Sequence, residues 1–294
     1  MTRPRRRARG LSHRTWLAAV LSALALAAAR PALAEERPLW ELGAGPFFLA
    51  QPDYRGAAQS RGYILPFPYV VYRGDRLRVD RDGIRGMLFE TDRVAFDISV
   101  FGSPPVDSGD NSARQGMPDL DATLEIGPML DVTLAQDTPS PLDFNWRLRL
   151  RLPVRFALAS DFSSVESIGV VSWPHLNLDT RQRFWGGEWW FGLNVGPQYA
   201  SRRYNEYFYS VQPQYATPTR PAYDAPGGYG GTIFLASLSR RFKNIWAGGY
   251  LRYDTLSGAA FDQSPLVRRS SYYSAGLAIA WVFAESSERV EAPY

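Results

Sequence analysis

Four arginines, Arg147, Arg149, Arg151 and Arg155, fall on odd positions of a segment whose even positions from 142 to 158 are all apolar. A row of guanidinium groups on one face has three chemical uses: it can bind an anion, set the selectivity of a pore, or pair with a row of carboxylates. The preceding segment offers the third, because Asp121 and Glu125 sit on the polar face of a second alternating run. The other group with reactive potential is His175, which shares a face with Asn177 and Asp179. A Ser/His or Asp/His hydrolase would need such a base, but no G-x-S-x-G elbow or other nucleophile motif accompanies it. Asp107, Asp110, Asp119 and Asp121 supply carboxylates without the spacing or glycine of a calcium loop. The expectation is no catalytic residue, no metal site and no cofactor, with Asp121, Glu125, Arg147, Arg149, Arg151 and Arg155 forming an internal charge network.

The elements that carry these residues follow from periodicity. Strict alternation over 142–158 describes a β-strand with one apolar and one cationic face, since successive side chains point to opposite sides. Seventeen residues exceed the ~5–6 of an ordinary strand and suit an oblique bilayer crossing, which takes about 9–11. The run from Leu120 to Leu134 alternates in the same way with acidic residues opposite, so the two segments should form an antiparallel hairpin. Placing Leu134 opposite Leu142 sets Glu125 against Arg151 and Asp121 against Arg155, where opposite charges stabilise the pair. Further alternating runs occupy 40–50, 63–72, 93–102, 167–181, 187–200, 229–242, 245–255 and 271–283. Short connections at 91–92, 135–141, 183–186 and 243–244 alternate with long ones at 51–60, 103–118, 159–166, 201–228 and 256–270. Outer-membrane barrels show this pattern, with short periplasmic turns and long outer loops. The predicted fold is therefore an all-β, antiparallel transmembrane β-barrel of ten strands over residues 35–284. Twelve is the alternative if 61–90 contains an extra hairpin, and 285–294 is expected to be a short periplasmic tail. A soluble β-sandwich also alternates, but needs neither strands this long nor the aromatic C-terminal run ending at Phe283. Trp40, Tyr72, Trp185, Trp246 and Trp281 lie near strand ends, as an interfacial aromatic girdle would require. The cluster Tyr204, Tyr207, Phe208 and Tyr209 reads either as a surface-recognition patch or as a hairpin extending the barrel.

The N-terminus has a different grammar. A basic stretch, an apolar run from Trp16 to Ala29 and Ala32-Leu33-Ala34 together form a secretory signal peptide over residues 1–34. This segment holds seven of the 33 basic residues and none of the 29 acidic ones, leaving 26 against 29 and a net charge of −3. The high isoelectric point of the whole chain thus carries no message about nucleic acid. Cysteine is absent, so neither disulfides nor thiolate metal sites hold the exported fold.

Several strings add a resemblance. Pro52-Asp53-Tyr54-Arg55-Gly56, Tyr72-Arg73-Gly74-Asp75, Asp82-Gly83-Ile84-Arg85-Gly86, Arg114-Gln115-Gly116-Met117-Pro118-Asp119-Leu120-Asp121, Glu125-Ile126-Gly127-Pro128 and Ser264-Pro265-Leu266-Val267 occur in this order. The chain thereby resembles the MltA-interacting protein/OmpV (MipA/OmpV) family of outer-membrane proteins. Local departures are Ala57, where the family often has serine, and the proline content of 207–228. The resemblance implies an outer-membrane barrel acting as a scaffold between a murein lytic transglycosylase and a murein synthase, and the expected state is a monomer. Porin-like relatives make a channel for small solutes or antibiotics the alternative, with a hydrolase built on His175 behind it.

Overall fold

The computed structural model describes residues 36–74, 77–80, 83–86, 89–91, 93–137, 144–161 and 163–291. The signal peptide assigned to 1–34 lies outside the described residues, as do Leu142, Asp75 and Asp82 of the expectations above. Alternating apolar and polar residues produce long strands wherever the pattern is clear: β2 (Trp40–Pro52), β3 (Ser60–Arg73), β7 (Val94–Ser103), β8 (Ala122–Gln136), β9 (Phe144–Ser160), β12 (Gly187–Ala200), β13 (Gly228–Phe242), β14 (Ile245–Thr255) and β15 (Ser271–Glu285). Between β9 and β12, strands β10 (Val165–Ser172) and β11 (His175–Phe184) both pair with the same two neighbours, so they are one strand interrupted at Trp173 and Pro174. Proline lacks the ladder N–H, which explains the break.

The contested stretch after β3 holds short pieces: β4 (Leu77–Asp80), β5 (Gly83–Gly86) and β6 (Phe89–Glu90). Here β4 pairs with β3 and β5, while β6 pairs with β7. The sheet path runs β5-β4-β3-β2-β15-β14-β13-β12-β10-β9-β8-β7-β6, so its two ends, β5 and β6, are successive pieces of one antiparallel strand. The path therefore returns on itself as a barrel. Counting β5 with β6 and β10 with β11 as single strands gives twelve rather than ten, because 61–90 contains the extra hairpin that the turn signals allowed. The C-terminal residues are more than a tail: β16 (Arg289–Glu291) pairs antiparallel with β1 (Glu36–Pro38).

Apolar side chains face outward. Phe156, Leu193, Leu251, Leu277, Trp281 and Phe283 are exposed, whereas their inward-facing neighbours are buried or half-buried. An exposed apolar band around a closed sheet is the arrangement a bilayer demands. Trp281 belongs to this band. Trp246 does not: it points inward and stacks on Phe67 with ring centroids 5.5 Å apart, so it is removed from the predicted girdle.

Register is the second correction. Leu124 lies opposite Leu158 and Asp131 opposite Arg151, six residues from the predicted alignment. An even slip leaves every side chain on its expected face, which explains how the faces match while the partners change. The ladder then shifts between Thr133 and Ala135, a bulge that period-two counting across the turn does not include.

Candidate functional site

Inside the barrel, β8, β9 and β11 converge on a continuous set of charges. The Asp131 carboxylate accepts from Arg149 at 3.2 Å and Arg151 at 3.0 Å. Arg149 also bonds the Asn177 amide oxygen at 2.9 Å and forms an ion pair with Asp179. Arg147 lies across the β9–β11 ladder from Asp179. Higher in the lumen, Arg155 is 3.1 Å from Glu125, whose other oxygen accepts from the Tyr204 hydroxyl at 2.8 Å. The predicted network therefore exists with exchanged partners: Arg151 uses Asp131 instead of Glu125, and Arg155 uses Glu125 instead of Asp121. Asp121 is outside it altogether. Its backbone N–H donates to the Tyr207 hydroxyl at 2.8 Å, and its carboxyl pKa is raised by desolvation and then by Asp161, Asp119 and Glu166 nearby. Asp131 and Asp179 were legible as acidic residues of the right parity; only the register hid their roles.

His175 is buried at the start of β11. Its Nδ1 lies 2.7 Å from the Trp173 carbonyl oxygen, and its ring stacks on the Trp173 indole at 4.0 Å. A backbone carbonyl and an indole orient the imidazole without activating a hydroxyl.

Above the charges, four outer connections fold over the barrel mouth: 53–59, 104–121, 201–227 and 256–270. They share one apolar core that includes Tyr54, Val106, Leu120, Tyr209, Leu256 and Phe261. The third connection carries a helix, α1 (Arg202–Tyr209), whose N-cap Ser201 accepts from the Tyr204 N–H. Tyr209 stacks on Phe261 with centroids 3.7 Å apart. The aromatic cluster at 204–209 is thus packing for the cap, neither a free recognition patch nor a hairpin. The 159–166 connection, expected to be long, shrinks to 161–164 between β9 and β10.

The family strings explain the cap's cohesion. Pro52 ends β2, and Asp53 then accepts from Arg61 at 2.8 Å and from the Asn111 amide at 2.7 Å. Tyr54 donates its hydroxyl to the Leu266 carbonyl at 2.8 Å; burial pushes that phenol up to about 12. Gly56 has φ +87°, and its carbonyl accepts from the Arg268 and Arg269 N–H groups at 2.8 and 3.0 Å. Arg114 is buried over the Tyr54 ring and donates to Ser108, Phe208 and Pro118; burial lowers its pKa. Gly116, at φ +81°, turns the chain so that Met117 packs on the cap core and Pro118 offers its carbonyl to Arg114. Ala57 is fully buried in the same core.

Arg55, from the Pro52-to-Gly56 string, and Arg220 have partners that no local signal reveals. Arg55 reaches into the mouth, bonding Asp254 at 2.9 Å and the Gly230 carbonyl at 2.7 Å. Asp254 is shared with Arg252 at 2.6 Å. Arg220 spreads its guanidinium over the carbonyls of Ala113, Gln115 and Tyr215 at 2.7–3.2 Å. Their partners lie 105–199 residues away for Arg55 with Asp254 and Arg220 with Gln115, a separation that no periodicity reveals. Because the cap grips β8 through Tyr204 and β13 to β15 through Arg55, it spans the mouth from wall to wall.

An apolar outer band, an ion-paired lumen and a folded outer cap define an outer-membrane β-barrel. The family model described as MltA-interacting protein MipA matches residues 42–283, and the chain belongs to that family. Among solved structures, a NanC porin is similar at 9% identity over 83% of this chain and 98% of its own, with a TM-score of 0.31. A bacterial polysaccharide outer-membrane secretin matches at 9% identity over 85% and 100%, with a TM-score of 0.34. The CymD monoaromatic hydrocarbon channel matches at 9% identity over 84% and 89%, with a TM-score of 0.32. No curated protein matches the chain.

Proposed function

We propose that this barrel is a monomeric, non-enzymatic scaffold that presents its periplasmic rim to a murein lytic transglycosylase of the MltA kind and to a murein synthase. Family membership over residues 42–283 carries the reading, since the family's description names an interaction with MltA. The rim offers a rigid surface for docking. Glu188 holds Arg37 at 3.0 Å and Arg181 at 2.6 Å, Glu41 holds Arg73 at 2.7 Å, and β1 with β16 adds a small second sheet. Trp185 projects from the turn between β11 and β12 at φ +50°, exposed over most of its surface. A large exposed aromatic beside paired charges is the composition of an interaction hot spot.

Two features weigh against a conducting pore: the cap over the outer mouth, and lumen arginines already paired with carboxylates. The test is affinity capture of the tagged barrel from solubilised envelope. Recovery of a lytic transglycosylase and a murein synthase is expected, with weaker recovery when Trp185-Gly186 is exchanged for Asn-Gly, a turn that keeps the φ requirement. Capture of neither enzyme by the intact barrel overturns the scaffold reading. Planar-bilayer recording tests the alternative. Discrete current steps that change with Arg151→Ala would favour the channel.

A further inference from the structure

The wall between β3 and β7 is unlike the rest. β3 is hydrogen-bonded to β2 along its whole length, from Ser60 opposite Pro52 to Tyr72 opposite Trp40. On its other side its ladder pairs among the described residues are Tyr72 with Val79 and Arg73 with Arg78. The hairpin of β4 and β5 is four residues tall on each arm, so among the described residues 60–71 of β3 have no ladder partner on that side and form an edge. That edge carries Pro66 and Pro68. Pro46 lies directly opposite Pro66, so this pair exchanges no N–H bonds, and the missing donor of Pro66 falls on the side facing away from β2. Proline at such an edge prevents another strand from adding there. The gap is therefore closed to backbone pairing and open to side chains or lipid.

Two of the side chains that face the gap from within are large and apolar, while Asp97 and Ser99 share the inward face of β7 lower down, Asp97 fully buried. Leu65 on β3 and Phe101 on β7 both have lumen parity; Phe101 lies under the Arg155 guanidinium at 5.4 Å. Yet Leu65 is 36% and Phe101 44% exposed, whereas Leu49, facing the lumen on the adjoining closed wall, is 8% exposed. Behind Leu65 lie Phe67 and Tyr69, both packed on Trp246 at 5.5 and 5.6 Å. Outside, the same strands present Ile64 and Val100 to the bilayer. The lumen thus has two halves: a charged one along β8, β9 and β11, and an aromatic one reached through the gap.

We propose that this gap is a lateral window through which a lipid acyl chain enters the barrel and lies against the aromatic half of the lumen. The occupant follows from the surroundings. The window opens at the height of the apolar band, its rims carry aliphatic and aromatic side chains, and hydrocarbon is the medium outside it. An aqueous solute would find Leu65, Phe67 and Phe101 beside it, with the nearby Arg155 already paired to Glu125. The inference rests on the barrel alone and is independent of the scaffold reading.

The experiment uses the wild-type barrel reconstituted with a phospholipid bearing a mid-chain diazirine, irradiated and mapped by peptide mass spectrometry. Adducts at the outward residues Ile64 and Val100 serve as the internal standard. Adducts of comparable yield at Leu65 or Phe101 support the window, and Leu65→Asp should suppress those at Phe101 while leaving Val100 labelled. Adducts confined to Ile64 and Val100 overturn it. A second readout uses the absence of native cysteine. A nitroxide on Leu65→Cys should collide with oxygen more than with a neutral nickel chelate, as one on Ile64→Cys does. A Leu65→Cys label that favours the nickel chelate, or is shielded from both as on Leu49→Cys, also overturns the proposal.

Discussion

Removing the Asp131 carboxylate gives the sharpest test of the lumen network. Asp131 lies 3.0 Å from Arg151 and 3.2 Å from Arg149, and all three side chains are buried. At 3.0 Å and an effective dielectric of about 20, the gross attraction is roughly 5 kcal/mol, most of it offset by desolvation. The observable quantity is the cost of leaving partners behind. Asp131→Ala removes the carboxylate 3.0 Å from Arg151 while Arg149 keeps Asp179 and Asn177, so a loss of about 3–5 kcal/mol is expected. Arg151→Ala should cost a similar amount, and the double variant less than the sum, with a coupling of about 2–3 kcal/mol. The pair Arg151→Ala and Glu125→Ala is the control. Glu125 is opposite Ala157, six residues along β9 from Arg151 and so roughly 20 Å away, where coupling should fall within about 0.5 kcal/mol of zero. Urea unfolding in lipid micelles, followed by tryptophan fluorescence, reads the three single variants, the two doubles and wild type. A coupling of Arg151 to Glu125 that equals or exceeds its coupling to Asp131 would refute the register and the network with it.

Three further outcomes concern the cap. Gly56→Ala forces a β-carbon at φ +87° to within 2.7 Å of Leu256 Cδ1; about 1–3 kcal/mol of strain should loosen the cap, read as faster protease nicking within 256–270 while heat-modifiable migration of the barrel persists. Arg220→Lys replaces a fan of guanidinium bonds to Ala113, Gln115 and Tyr215 by one ammonium, so amide exchange in 104–121 should accelerate. Tyr54 and Tyr207 are both pushed up to about 12 by burial. Because the folded value is raised, their contribution is complete below the ordinary pKa of about 10 and is lost as pH climbs through about 12. Phenolate absorbance should therefore show these two groups lagging the exposed tyrosines, and protease sensitivity of the cap should rise over the same interval; titration of every tyrosine near pH 10 in an intact cap would contradict the packing.

The strands and the cap differ in how much of them a sequence can carry. Alternation is local, so β9 from Phe144 to Ser160 and β12 from Gly187 to Ala200 are legible from single residues and their neighbours two positions on. Register is a property of two strands and the turn between them. The Leu134–Leu142 alignment sets paired numbers to sum to 276, whereas the ladder leaves the turn at 283, Ala135 with Leu148, and the one-residue bulge before Thr133 brings it to 282, so the net slip of six is even and parity survives. The strand count failed for a related reason: Arg73-Gly74-Asp75 and Asp82-Gly83 signal turns, but nothing local says that the arms between them are four residues long. The cap is less legible still. Arg55 meets Asp254 across 199 residues and Tyr54 meets Leu266 across 212, contacts that need the ends of β2, β14 and β15 side by side in the sheet. The strings at 52–56, 114–121 and 264–267 are largely consumed in holding the cap together. That assignment shifts the search for a partner surface away from the outer loops, toward the periplasmic rim for proteins and toward the β3–β7 gap for lipid, where side chains are still exposed.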